Sequence, residues 1–187
     1  MLRIRPKFYA WYAAALLILF PLHGVAHMVA YRTLGIPVRV SYFSVRPAVG
    51  YDRAAVAELA APVFNLAIAA LASIAYHGAT KRRMLWAIIA VSAAMARLTN
   101  YVAVSAAAVV TGSGMAVVAD ESFAAHLWGL PSLLFVAVLT APFAFVTWSV
   151  VRTFAPSTAG RTAHLVALAT LTQCLTILAG NVLDRLF

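Results

Sequence analysis

The run Phe20-Pro21-Leu22-His23-Gly24-Val25-Ala26-His27 places two imidazoles four residues apart in an otherwise apolar stretch. Residues i and i+4 share one face of a helix, so both rings can turn to one ion, as the two histidines of an H-E-x-x-H helix do for zinc. The position that carries the glutamate of that motif is Gly24. Two histidines on one face of a membrane helix are costly without a common purpose. The purposes open to this pair are a shared metal ion and a structural hydrogen-bonded pair. Bis-histidine haem fits poorly, because its ligands usually come from opposite sides of the porphyrin plane.

Five apolar stretches must position these groups. Of the 187 residues, 64% are hydrophobic and 10% charged, against about 25% charged in a soluble domain. Several stretches exceed the roughly 20 residues that span a bilayer. The expected fold is an all-α polytopic membrane protein, read as a single membrane domain over 1–187. Its spans are expected at about Phe8–Tyr31, Ala54–Tyr76, Met84–Val110, Ser132–Val151 and Ala163–Leu183. The first is too long for a secretory signal and ends in no small-residue cleavage site, so it reads as a retained helix, kinked by Pro21 just before His23. Between the first two spans, Val38–Val45 is rich in β-branched and aromatic residues and predicts a short membrane-associated strand or hairpin, with Arg46, Pro47 and Gly50 marking its turn.

The net charge of +9 belongs to basic residues scattered over short loops, which suits anionic lipid head groups and orientation rather than nucleic acid. With all five stretches crossing, Arg3, Arg5, Lys7, Lys81, Arg82, Arg83, Arg152 and Arg161 share one side. Arg32, Arg39, Arg46, Arg53 and Arg185 share the other, which favours a cytoplasmic amino terminus. The single cysteine, Cys174, excludes an internal disulfide and a Cys-based zinc cluster, and reads as a packing residue.

Further polar groups lie in or beside the spans. Pro62 and Asn65 in the second span predict a kinked helix with one polar side chain. Arg97 and Asn100 lie in the third, where a buried arginine needs a partner; Glu58 and Asp120 are the obvious ones. Asp120, Glu121 and His126 follow the flexible Thr111–Gly114 break and precede Gly129-Leu130-Pro131. Two histidines plus a carboxylate leave a position open for water, the pattern of a catalytic zinc site. The alternative is a solvated acidic loop.

The run Met28–Val38 after the histidine pair resembles the sequel of the zinc helix in site-2 proteases, the M50 family of intramembrane metallopeptidases. Ala60-Ala61-Pro62-Val63-Phe64-Asn65-Leu66 is similar to that family's A-G-P-x-x-N-L motif, with Ala61 in the glycine position. The resemblance covers roughly residues 10 to 130. It implies a site-2-protease-like core over about 8–130 followed by two additional helices over about 132–183. It further implies Zn2+ held by His23, His27 and a later aspartate, with Asn65 and Pro62 near the site. The family's LDG aspartate motif does not occur here. Asp120 resembles the aspartate of a divergent branch that stands shortly before a Gly-Leu-Pro run, with His126 as a competing ligand. Arg97 and Asn100 are candidates to orient a ligand from behind or to contact the substrate; the alternative for Arg97 and its carboxylate partner is to lock helices together.

The glutamate missing at Gly24 would shuttle a proton between metal-bound water and the leaving amine. Two readings follow. The first is a non-proteolytic or weakly active homologue serving as an accessory subunit of a membrane complex. The second is an active zinc metallopeptidase with Glu58 or Glu121 as substitute base, pairing a transmembrane substrate segment with the Val38–Val45 edge. A prokaryotic inner membrane is the expected location, since no organellar targeting segment precedes the first span.

Overall fold

A computed structural model describes residues 6–40, 45–47, 54–79, 81–112, 120–155 and 157–182. Along the chain these form α1 (Pro6–Thr33), β1 (Val38–Val40), β2 (Val45–Pro47), α2 (Ala54–Gly78), α3 (Arg83–Thr111), α4 (Asp120–Leu127), α5 (Ser132–Phe154) and α6 (Thr158–Val182). α1, α2, α3, α5 and α6 are each long and apolar enough to cross a bilayer. The chain is an all-α polytopic membrane protein with one small hairpin after its first helix.

The burial pattern is that of a bundle whose solvent is lipid. Ile18, Val63, Leu71, Ile74, Val102 and Phe145 stand exposed on the outside, while α2 and α3, which pack closely on each other, bury small side chains: Ala61, Ala69 and Ala72 on α2, and Ala87, Ala90, Ala93 and Ala94 on α3. Small side chains let helix backbones approach closely where no hydrophobic driving force separates core from lipid. Polar pairs add specific links: Tyr12 to Thr172 at 2.5 Å between α1 and α6, and Tyr76 to Thr153 between α2 and α5.

α1 continues through Pro21 as one helix and stops at Gly35, whose φ of 71° is left-handed backbone that glycine adopts without a Cβ penalty. The Gly35 N–H donates to the Arg32 carbonyl and the Ile36 N–H to that of Tyr31, a Schellman ending. It delivers the chain into β1. β1 and β2 pair antiparallel with Val38 opposite Pro47, Arg39 opposite Arg46 and Val40 opposite Val45. Arg46 and Pro47 therefore lie in the second strand rather than the turn; a proline, lacking an N–H, is tolerated at such an edge. The residues between the strands, 41–44, and Gly50 lie outside the described residues. So do Arg3, Arg5, Asp52, Arg53, Leu183, Asp184 and Arg185, and Ser113 and Gly114 of the expected flexible break.

Residues 120–127, expected as a polar segment, form the short helix α4. It closes on the same Schellman pattern at Gly129, with Leu130 N–H donating to Ala125 and Gly129 N–H to His126. Glu121, Ser122, Ala124 and Ala125 are buried against the bundle. Acidic residues at the start of a helix are favoured by the exposed N–H groups and dipole there, and Asp120 and Glu121 occupy its first turn.

Candidate metal centre

α1 supplies His23 and His27, and α4 supplies Asp120. One potential ligand atom from each lies within 4.8 Å of the others. His23 Nε2 and His27 Nε2 are each 3.3 Å from the same atom, Asp120 Oδ2. His27 is buried and His23 partly so, while the Asp120 side chain is 29% exposed, which leaves an approach to the carboxylate.

The second nitrogen of His27 settles what the first can do. Nδ1 lies 2.9 Å from the Ala57 carbonyl on α2, an acceptor, so Nδ1 carries a proton and donates it. A neutral His27 then presents a lone pair at Nε2, facing a carboxylate oxygen that also presents lone pairs. Such a contact requires a cation between the two atoms, a second proton on the ring or a metal ion. Ligands held about 2.0–2.1 Å from a tetrahedral zinc are themselves about 3.3 Å apart, so the donor types and the two His–Asp120 separations suit such an ion. Backbone carbonyls that fix the tautomer of a ligating histidine are a recurrent feature of metal sites.

Arg97 on α3 lies behind Asp120. Its Nη2 is 3.2 Å from Asp120 Oδ2 and donates to both oxygens of Glu121 at 2.5 Å; Nη1 lies 3.3 Å from His23 Nε2. Tyr101, one turn along α3, donates to Glu121 Oε1 at 2.5 Å. Burial opposes ionisation of Asp120, yet the Arg97 guanidinium and the two imidazoles outweigh it and hold the carboxyl well below the usual carboxylate range. The expected partnership of Arg97 with Glu58 is not formed: Glu58 accepts from Tyr31, and Glu121 takes the guanidinium. Glu121 has no exposed surface, which removes the solvated-loop alternative for its side chain.

Other expected residues fall at graded distance. Asn65 and Asn100 line, with His23, Arg97 and Asp120, a cavity of about 230 Å3. Asn65 is 2% exposed and its Oδ1 has no hydrogen-bond partner among the described residues. Pro62 is buried in α2 one turn earlier. His126 is exposed and does not join the metal-competent group among the described residues. It follows Asp120 by six residues, which at about 100° per residue turns it to another face of α4. Cys174 is exposed rather than packed inside. Tyr31 and Tyr101 were not expected at the site, although each stands four residues after a site residue, His27 and Arg97, at same-face spacing. Nor were Gln173 and Thr176, through which α6 forms part of the cavity wall.

The Tyr31 bond makes a prediction of its own. Tyr31→Phe removes the donor to a buried carboxylate, at a cost of about 1–3 kcal/mol. Thermal denaturation of the purified variant should show the loss, while Tyr12→Phe, at the far end of α1, should leave the metal centre untouched.

Compared with family models, curated proteins and solved structures, the chain matches none of them.

Proposed function

We propose that this chain is a membrane-embedded metal protein, arranged like a site-2 protease, that retains a zinc-type His23–His27–Asp120 centre without hydrolysing peptides and acts as a subunit of a larger membrane complex. The observation that carries the metal is the convergence of both Nε2 atoms on Asp120 Oδ2 at 3.3 Å, with His27 Nδ1 committed to Ala57. Charge supports it. Two carboxylates, Asp120 and Glu121, meet one guanidinium, Arg97, and a cation beside Asp120 would offset the charge left over when both are ionised.

The absence of peptide hydrolysis rests on Gly24 and on where the other carboxylates are held. Both oxygens of Glu121 are taken by Arg97, and Glu58 Oε1 by Tyr31. Zinc supplies Lewis acidity and lowers the pKa of bound water, but a positioned general base is typically worth a further 10²–10⁴-fold. A second reading, an active peptidase using Glu58, is favoured by one feature: Glu58, the one carboxylate of α2, directly follows Ala57, whose carbonyl holds His27.

Metal analysis of the detergent-purified chain tests the proposal first, with about one zinc per chain expected. A metal-free protein would leave an imidazolium–carboxylate pair and overturn it. Gly24→Glu tests the catalytic half. A Cβ at Gly24 meets Val45 Cγ2 at 3.5 Å, ordinary contact, so the side chain can begin without a clash. The zinc-loaded variant is expected to hydrolyse unstructured apolar peptides roughly 10² times faster than the parent or more. Peptide cleavage already present in the parent and lost in Glu58→Gln would establish the second reading instead. Co-purification of a stoichiometric membrane partner is expected for a subunit.

A further inference from the structure

Arg97 reaches the metal centre on the same atoms that an ion would use. Its Nη2 lies 3.2 Å from Asp120 Oδ2 and its Nη1 3.3 Å from His23 Nε2. A carboxylate oxygen has more than one lone pair, so Asp120 can serve a metal and a guanidinium together. A neutral imidazole has a single acceptor nitrogen. In the form of His23 that ligates through Nε2, its lone pair goes either to an Arg97 N–H or to a metal ion, and not to both. The guanidinium has little room to withdraw. Arg97 is 5% exposed, and its Nη2 donates to both oxygens of Glu121.

The two histidines also differ on their far sides. His27 Nδ1 is tied to the Ala57 carbonyl, whereas His23 Nδ1 is buried with no hydrogen-bond partner among the described residues. Asp120 and Arg97 both meet the His23 ring at Nε2. The ligating atom of His23 is thus the one that Arg97 holds, while His27 is held from behind.

We propose that Arg97 is the protein's own competitor for the metal position: without an ion its guanidinium bridges His23 Nε2 and Asp120 Oδ2, and an entering ion must take His23 from it. This competition rests on the metal reading proposed above and adds exchange to it. Two effects act in the same direction. Ligation by His23 gives up the Arg97 contact. An ion about 2.0–2.1 Å from Nε2 also lies within about 5 Å of Nη1, where two cations repel each other in a site shielded from water. Arg97 therefore lowers the affinity below what the three ligands alone would give, and metal content follows supply. A residue that merely supports a ligand from behind has the opposite sign, since its loss typically weakens binding by about 10–100-fold.

Arg97→Leu combined with Glu121→Leu removes the guanidinium with its buried counter-charge, so local net charge is unchanged and no charge is stranded. Co2+ titration of the full chain in detergent follows the visible d–d bands of a tetrahedral site, and competition with a chelator gives the zinc affinity. The double variant is expected to bind both ions about tenfold tighter than the parent, or more. Arg97→Lys keeps the charge but lacks the planar fork that meets two atoms at once. It is expected to bind about threefold tighter, and it decides the matter should the double variant fail to fold. Equal or weaker binding in the variant read, with Co2+ bands present in the parent, would overturn the proposal and leave the metal reading standing. Absence of the bands from the parent and both variants would overturn the metal reading and the competition with it.

Discussion

Replacing His23 and His27 together by alanine is expected to take bound zinc from about one ion per chain to background. The effect should be the largest on metal content of any substitution in the molecule. Both imidazoles point Nε2 at one oxygen of Asp120, so the double variant removes two of three ligands and leaves a carboxylate with Arg97 as its partner, a pair with no further need of a cation. Loss of a supporting group around a metal typically costs 10–100-fold in affinity, and loss of two ligating atoms exceeds that. Asp120→Asn should weaken binding less completely, since an amide oxygen remains in place while its charge is gone. His126→Ala is the control and should retain the ion, because His126 is exposed and outside the converging group. Elemental analysis of the four proteins at matched concentration checks the series. Retention of zinc in the double histidine variant would place the ion elsewhere.

Glu121→Ala is expected to destabilise the bundle by about 3–5 kcal/mol, the cost of stranding one member of a buried ion pair. Arg97 is 5% exposed and Glu121 not at all, so neither can turn to water. The guanidinium spans both Glu121 oxygens and Tyr101 donates to one of them, which ties α3 to α4. Without Glu121, Arg97 keeps Asp120 as its carboxylate partner and a 3.3 Å contact with His23 Nε2, and Tyr101 loses the Glu121 acceptor. For a chain of this size the loss corresponds to a fall in melting temperature on the order of 10 °C. Arg97→Leu combined with Glu121→Leu should recover much of the deficit, since replacing both partners by apolar groups removes the stranded charge. Thermal unfolding of the single and double variants, run as a cycle, measures the coupling. Equal stability of Glu121→Ala and the parent would show that the pair contributes nothing.

The amino-acid order alone determined the parts of this protein that depend on local periodicity. The five spans follow from uninterrupted apolar length. The shared face of His23 and His27 follows from 3.6 residues per turn, and the ends of α1 and α4 from Gly35 and Gly129, which accept left-handed backbone. Among the three aspartates, Asp52, Asp120 and Asp184, it was the place of Asp120 shortly before Gly129-Leu130-Pro131, and the resemblance that this carries, that singled it out.

What the sequence left open was decided by how the helices are placed along and around one another. Glu58 and Asp120 were equally good partners for Arg97 by composition, yet the packing of α4 against the bundle gives the guanidinium to Asp120 and Glu121 and leaves Glu58 to Tyr31. His126 stood as the competing ligand to Asp120 until α4 formed a helix and turned the two to different faces. The contribution of Gln173 and Thr176 from α6 belongs to a cavity that no single helix encodes. A helix fixes which side chains lie on one face within a few residues. Which face meets which neighbour, and at what depth, is set by small-residue seams such as that between α2 and α3 and by loop lengths acting over the whole chain.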